Sequence, residues 1–237
     1  MTDDQFAEIL GLKHEISGVE FKPPGPRTNK PLFHRVARAA IGMANHRDGG
    51  RVVIGVRETA GVFDPVGLDA ADVASWRHEH VADAMAALAD PPVVFDVQVR
   101  TYKKRQFVLI DVQEFEDVPI ICRRTFPRLL ESGEKLILRK GAIYVRPRRK
   151  PETSEVEDQA DLRDLLELAI EKGLQKFIGT VSRAGGTMQP QDTSRAEPPE
   201  PELAPQTVNS RAKPPEPELA LHTAAEAFLS ELPDDFK

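Results

Sequence analysis

Glu20 and Lys22 stand two residues apart in the stretch SGVEFKPPG, residues 17–25. On an extended strand, positions i and i+2 share a face. The carboxylate and the ammonium therefore point the same way, and Phe21 points into a core. Many metal-dependent nucleases use this E-x-K spacing. The carboxylate holds a hard cation through oxygen, and the cation activates water and neutralises charge on the transferring phosphoryl group. The lysine contacts phosphate or positions the water. The plainer reading is an ion pair across a strand face, which contributes about 0–1 kcal/mol when exposed. Spacing alone leaves both open.

A second set of residues suits phosphate contact. Residues 100–150 hold 14 Lys+Arg against 6 Asp+Glu, in a chain whose net charge is −6. A basic segment inside a near-neutral region is a footprint for phosphates or a solvated face. Tyr144, Arg146 and Arg148 alternate, so a strand would present them together, an aromatic for base stacking beside two cations for phosphate. Lys103, Lys104 and Arg105 fall at a hairpin tip, and Arg123, Arg124, Arg139 and Lys140 extend the stripe. The pair His78 and His80 diverges on a helix, with His80 on the apolar side as a packed histidine. Cys122, the single cysteine, lies in an apolar strand and excludes a disulfide framework or a cysteine-based zinc site. No G-x-x-x-x-G-K-[ST] loop is present to support an ATPase.

The elements that must position these residues follow from periodicity. Thr2 and Gln5 have capping-box spacing for a helix over 3–10. VEFK is the first strand. Asn29 caps and Pro31 opens a helix ending near Asn45, with Phe33, Val36, Ala40, Met43 and Ala44 on its apolar side and His34, Arg35 and Arg38 opposite. Asp48-Gly49-Gly50 turns the chain into RVVIGV, apolar on both faces and so a buried strand. A helix over about 70–89 buries Val73, Trp76, His80, Val81, Ala84 and Leu88. Val93, Phe95, Val97 and Val99 alternate inward on a strand, TYKKRQ turns, and FVLIDV returns. VPIIC, LILR and AIYVR are short strands. Ser154 and Glu157 have capping-box spacing for a long amphipathic helix, about 154–178. Its apolar face docks on the sheet or on a second copy.

Residues 1–178 thus read as one folded unit, and 179–237 as a disordered, acidic tail rich in Pro and Glu. The tail repeats PPEPELA at 198–204 and 214–220 and has too little apolar area to offset its chain entropy. Residues 222–231 form a short amphipathic helix or a frayed end. No apolar run approaches the ~20 residues of a membrane span. The acidic N-terminal residues lack secretory character. The expected location is cytoplasmic.

Three blocks resemble the Schlafen AlbA-type, or divergent AlbA, domain: Glu15, Glu20 and Lys22; Ala44-Asn45-x-x-x-Gly49-Gly50 leading into Ile54-Gly55-Val56; and Gly141-x-x-Tyr144-Val145-Arg146. The resemblance implies an α+β fold, a mixed, largely antiparallel sheet flanked by helices, and nucleic-acid binding. In some relatives it implies metal-dependent cleavage of structured RNA by three acidic residues, which match here as Glu15, Glu20 and Glu58. Many family members have Asp at the third position, and Glu lengthens that arm by one methylene. Without a cation three converging carboxylates repel, and at least one pKa rises; Mg²⁺ or Mn²⁺ would resolve this.

Three functions follow. The first is a module that contacts RNA or DNA phosphates through the basic stripe. The second is an Mg- or Mn-dependent endoribonuclease with Glu15, Glu20 and Glu58 on the metal and Lys22 on phosphate. The third is an adaptor, dimerising through the long helix and recruiting a protein partner with its tail.

Overall fold

The computed structural model describes residues 1–11, 14–130, 133–147 and 152–183. Arg148 and residues 184–237, with the segment 222–231, lie outside them; residues 179–183, expected to begin the tail, instead continue the last helix. Along the chain run α1 (Asp3–Gly11), β1 (Val19–Lys22), α2 (Lys30–Ala44), β2 (Gly50–Ile54), β3 (Val56–Thr59) and β4 (Val62–Pro65). Next come α3 (Ala70–Ser75), α4 (His78–Ala86), β5 (Ala89–Asp90), β6 (Phe95–Tyr102) and β7 (Arg105–Val112). The described part closes with β8 (Ile121–Cys122), β9 (Phe126–Leu130), β10 (Gly133–Leu138), β11 (Tyr144–Val145), β12 (Ser154–Glu155) and α5 (Gln159–Arg183).

The fold is α+β. Its main sheet has the order β1-β2-β7-β6, with β1 parallel to β2 and the other neighbours antiparallel. Strand alternation divides the core in two. Val52, Ile54, Val108 and Ile110 face α2, while Val53, Phe107 and Leu109 face α1 with Val19 and Phe21. Glu20 and Lys22, alternating with Val19 and Phe21, therefore lie on the α2 side of an edge strand.

Local signals place α2 well. Asn29 accepts a hydrogen bond from the Leu32 amide at 3.2 Å, and the chain leaves the helix at Asn45. Thr2 and Gln5 form the reciprocal capping bonds of α1. Gly49, at φ 69°, lies against the Val112 carbonyl, where a Cβ has no room. That glycine serves the fold.

Four expectations are corrected. The helix over 70–89 is two helices, because Trp76 leaves the helical path to be buried and donates Nε1–H to the Gly25 carbonyl at 2.9 Å. His80, on the second of them, is exposed rather than packed. Val99 is 51% exposed, since β6 is an edge strand. The long helix does not start at Ser154: Ser154 and Glu155 pair with Val145 and Tyr144, and Asp158 caps α5 by accepting from the Asp161 amide at 2.9 Å.

Candidate functional site

Glu20 is 6% exposed and sits at the centre of a buried polar network. One of its oxygens meets the Lys22 ammonium. The other accepts from Arg146 Nη1 at 2.7 Å and from Thr153 Oγ1 at 2.5 Å. Arg146 lies wholly inside and also donates to the carbonyls of Ile16, Ser17 and Val19 at 3.0–3.1 Å. Burial alone would raise the Glu20 pKa; Lys22 and Arg146 outweigh it, and the carboxyl is held below the usual range. Thr153 reaches Glu20 because α2 carries Gly42 beneath it, where a Cβ would approach the Thr153 methyl to 2.5 Å.

The second sequence block joins the same structure. Asn45 is buried, donates to the carbonyls of Ile120 and Tyr144 at 2.8 and 2.9 Å, and accepts from the Ile120 amide at 2.8 Å. Tyr144 is buried too. Its hydroxyl accepts from the Arg139 amide at 2.8 Å, and Arg38 lies 5.0 Å over its ring. All three blocks are thus tied together by interior hydrogen bonds.

Beside this network opens a cleft of about 200 Å³. Glu15, Glu20 and Glu58 all line it, with Lys22, Arg35 and Arg38. Glu152 and Thr153 complete its acidic and polar rim. Glu15 accepts from the Phe21 amide at 2.7 Å, and its pKa is raised to about 7, chiefly by burial and secondarily by Glu20. The three sequence-predicted carboxylates therefore share one cleft. As arranged they do not fit a divalent cation: both Glu20 oxygens already serve cations or a hydroxyl. Among the described residues no group of three His, Cys, Asp or Glu is placed to hold a metal.

The predicted basic stripe divides. Lys103, Lys104, Arg105, Arg123, Arg124 and Lys140 are exposed. Lys103 and Lys104 make the β6–β7 turn with φ of 47° and 62°. Arg105 Nη1 donates to the Pro65 carbonyl at 2.9 Å, fixing that turn to the base of the β3–β4 hairpin. The same hairpin supplies Glu58 and Phe63 to the cleft. Arg139 is exposed but held by Glu155 through bonds of 2.6–3.2 Å. Tyr144 and Arg146 are the corrections. Both belong to the interior, because β11 is covered by α2 and β12, so neither can stack a base or meet a phosphate from solvent. Arg35, Arg38, Glu152 and Thr153 were not singled out as site residues. The polar side of α2 was the signal for the two arginines; Thr153 had none.

A larger cleft, about 370 Å³, lies between the end of α2 and α5. Asp48, Asp161, Asp164 and Glu167 line it, and its arginines, Arg47 and Arg146, are bound to Glu171 and Glu20. That balance disfavours a phosphate ligand, so the Glu15–Arg38 cleft is the better candidate. No helix among the described residues is long and apolar enough to cross a membrane.

A search of curated protein sequences finds no match. Solved structures with similarity include the DIP2311 protein from Corynebacterium diphtheriae, 16% identical with a TM-score of 0.40, over 60% of this chain and 22% of that one. The chain thus spans about a fifth of that structure's length. Another is the N-terminal domain of a RecG-related protein from Nitrosomonas europaea, 21% identical with a TM-score of 0.37, over 48% of this chain and 74% of that one. The family model described as Schlafen, AlbA_2 matches residues 15–175, well over half of the sequence. The chain belongs to the Schlafen AlbA_2 family.

Proposed function

We propose that this protein binds RNA or DNA through phosphate contacts on its exposed cations, and that the Glu20 network is the scaffold of that surface rather than a catalytic centre. The observation that carries the reading is the way the acidic cluster is neutralised. In and behind the cleft, Glu20, Glu58 and Glu152 face Lys22, Arg35, Arg38 and Arg146. Burial pushes the Glu15 pKa up to about 7, which reduces its negative charge at neutral pH. The cleft therefore does not repel a phosphate backbone, and Arg105, at the end of the exposed β6–β7 turn, is bonded to the β3–β4 hairpin that helps line it. Membership of a family whose resemblance implies nucleic-acid binding supports the same reading.

Binding governed by phosphate contacts weakens steeply with salt. Fluorescence anisotropy with labelled structured RNA, single-stranded DNA and duplex DNA should give affinities that fall linearly on a log–log salt plot. Reversing Lys103→Glu with Lys104→Glu, or Arg123→Glu with Arg124→Glu, should lower affinity by about tenfold or more and flatten that slope. Absence of binding at low salt, or binding indifferent to both reversals, would refute the proposal.

A further inference from the structure

Ser17 and His46 make a contact that the Glu20 network does not use. Ser17 Oγ lies 3.0 Å from His46 Nε2. His46 Nδ1 lies 3.2 Å from the Gly49 carbonyl oxygen. A carbonyl only accepts, so in the neutral imidazole Nδ1 carries the proton. Nε2 is then the acceptor, and the Ser17 hydroxyl donates to it. Nucleophile, base and orienting group thus follow one another within hydrogen-bond reach. The backbone holds all three. Ser17 sits in the turn that the Val19 amide closes on the Ile16 carbonyl at 2.9 Å, and the buried Arg146 donates from Nε to the Ser17 carbonyl at 3.1 Å. The Gly49 amide donates to the His46 carbonyl at 3.0 Å, and Gly49 lies where a Cβ would strike the Val112 carbonyl.

We infer that Ser17 is a nucleophile activated by His46, and that the cleft of about 370 Å³ which both residues line hydrolyses small carboxylic esters bearing a cationic group. Ser17 is exposed, so a substrate reaches it, and the volume is that of a small-molecule site. Charge selects the substrate. Asp48 and Glu167 line the cleft with Asp161 and Asp164, whereas Arg47 and Arg146 are engaged by Glu171 and Glu20. Such a wall attracts a cation and turns away phosphate. Ser17 Oγ attacks the ester carbonyl carbon and passes its proton to His46 Nε2. Arg47 gives Nη1 to Glu171, and the rest of its guanidinium fork is the cleft's donor for the oxyanion. The bond from the carbonyl carbon to the alcohol oxygen breaks, the alcohol takes the proton from His46, and the acyl group stays on Oγ. Water then attacks the acyl carbon and gives its proton to His46; the acid leaves, and Oγ recovers that proton. Nothing is oxidised or reduced. The inference stands on this cleft alone and does not depend on nucleic-acid binding.

Incubation of the full chain with an uncharged fluorophosphonate ester should add one probe mass, mapped to Ser17 by tandem mass spectrometry. The chain should also hydrolyse meta-(trimethylammonio)phenyl acetate with a higher kcat/KM than its neutral isostere, meta-tert-butylphenyl acetate. Ser17→Ala should abolish both reactions and leave the thermal melt unchanged, since that side chain is exposed. His46→Gln should slow both reactions by about 100-fold or more. Asp48→Asn combined with Glu167→Gln should remove most of the preference for the cationic ester. Absence of the adduct, or of turnover of both esters, overturns the inference. So does labelling or turnover that survives Ser17→Ala, or that keeps the wild-type rate in His46→Gln. Equal rates on the two esters overturn the assignment of a cationic substrate.

Discussion

At the scale of single residues, the behaviour of Glu20 follows from what surrounds it. A carboxylate that holds a fully buried guanidinium is not replaceable by an apolar side chain, because Arg146 would keep its charge with no counterion. Glu20→Ala is expected to cost about 3–5 kcal/mol at pH 7. Lys22 and Arg146 depress the Glu20 pKa despite its burial. Its stabilisation is therefore present above the unfolded carboxylate pKa and fades as pH falls through and below it. Urea unfolding followed from pH 7 to pH 3 should show the gap between wild type and variant narrowing in acid. A variant within about 1 kcal/mol of wild type at pH 7 would contradict this role. Glu15 has the opposite sign. Its pKa, raised to about 7, means that the folded state binds its proton more tightly. Glu15 therefore favours folding below pH 4.5, and that contribution declines as pH rises to about 7. Glu15→Gln keeps an acceptor for the Phe21 amide and removes the titration. The variant should lose less stability than wild type between pH 5 and pH 8, by on the order of 2 kcal/mol. Parallel pH profiles of the two proteins would contradict the assignment.

At the scale of elements, the legible parts are those fixed by neighbours in sequence. The common face of Glu20 and Lys22, with Phe21 inward, follows from strand alternation, and α2 follows from Asn29, Pro31 and its apolar spacing. The parts that were not legible depend on distant contacts. The Arg146–Glu20 pair joins residues 126 apart in sequence. Nothing local to Tyr144-Val145-Arg146 says that α2 and β12 will cover it, so an interior strand reads as a binding stripe. The break between α3 and α4 is set by the Gly25 carbonyl that Trp76 reaches, and the start of α5 by a pairing that removes Ser154 and Glu155 from it. Gly42 separates local from tertiary effects most cleanly. Helix propensity alone says that Gly42→Ala stabilises α2 by about 1 kcal/mol. The contact with Thr153 says that the added methyl pushes that side chain off Glu20. Overpacking costs about 1–3 kcal/mol, so net destabilisation is expected. A thermal melt showing Gly42→Ala at or above the wild-type midpoint would mean that the Thr153 contact is dispensable.

For the whole molecule, charge is distributed by role. Arg146 neutralises the interior Glu20, and Lys103 and Lys104 stand exposed in the β6–β7 turn. Six of the residues read from sequence as phosphate contacts are exposed, Arg139 is held by Glu155, and Tyr144 and Arg146 are buried in the architecture. The three acidic residues that the family resemblance assigned to a metal do converge on one cleft, as their placement before β1, on β1 and after β2 suggested. The lowered pKa of Glu20 could not be read from spacing alone, because besides Lys22 it depends on Arg146 and Thr153, which arrive from the far end of the domain. The most direct test of this account incubates the full chain with end-labelled structured RNA, single-stranded DNA and duplex DNA in Mg²⁺, in Mn²⁺ and in EDTA. Bound and cut fractions are read from the same samples. The account predicts salt-sensitive binding with the nucleic acid left intact under all three conditions. Cleavage that requires the metal and disappears in EDTA would contradict it, and would show that Glu20 leaves Arg146 to serve a catalytic centre.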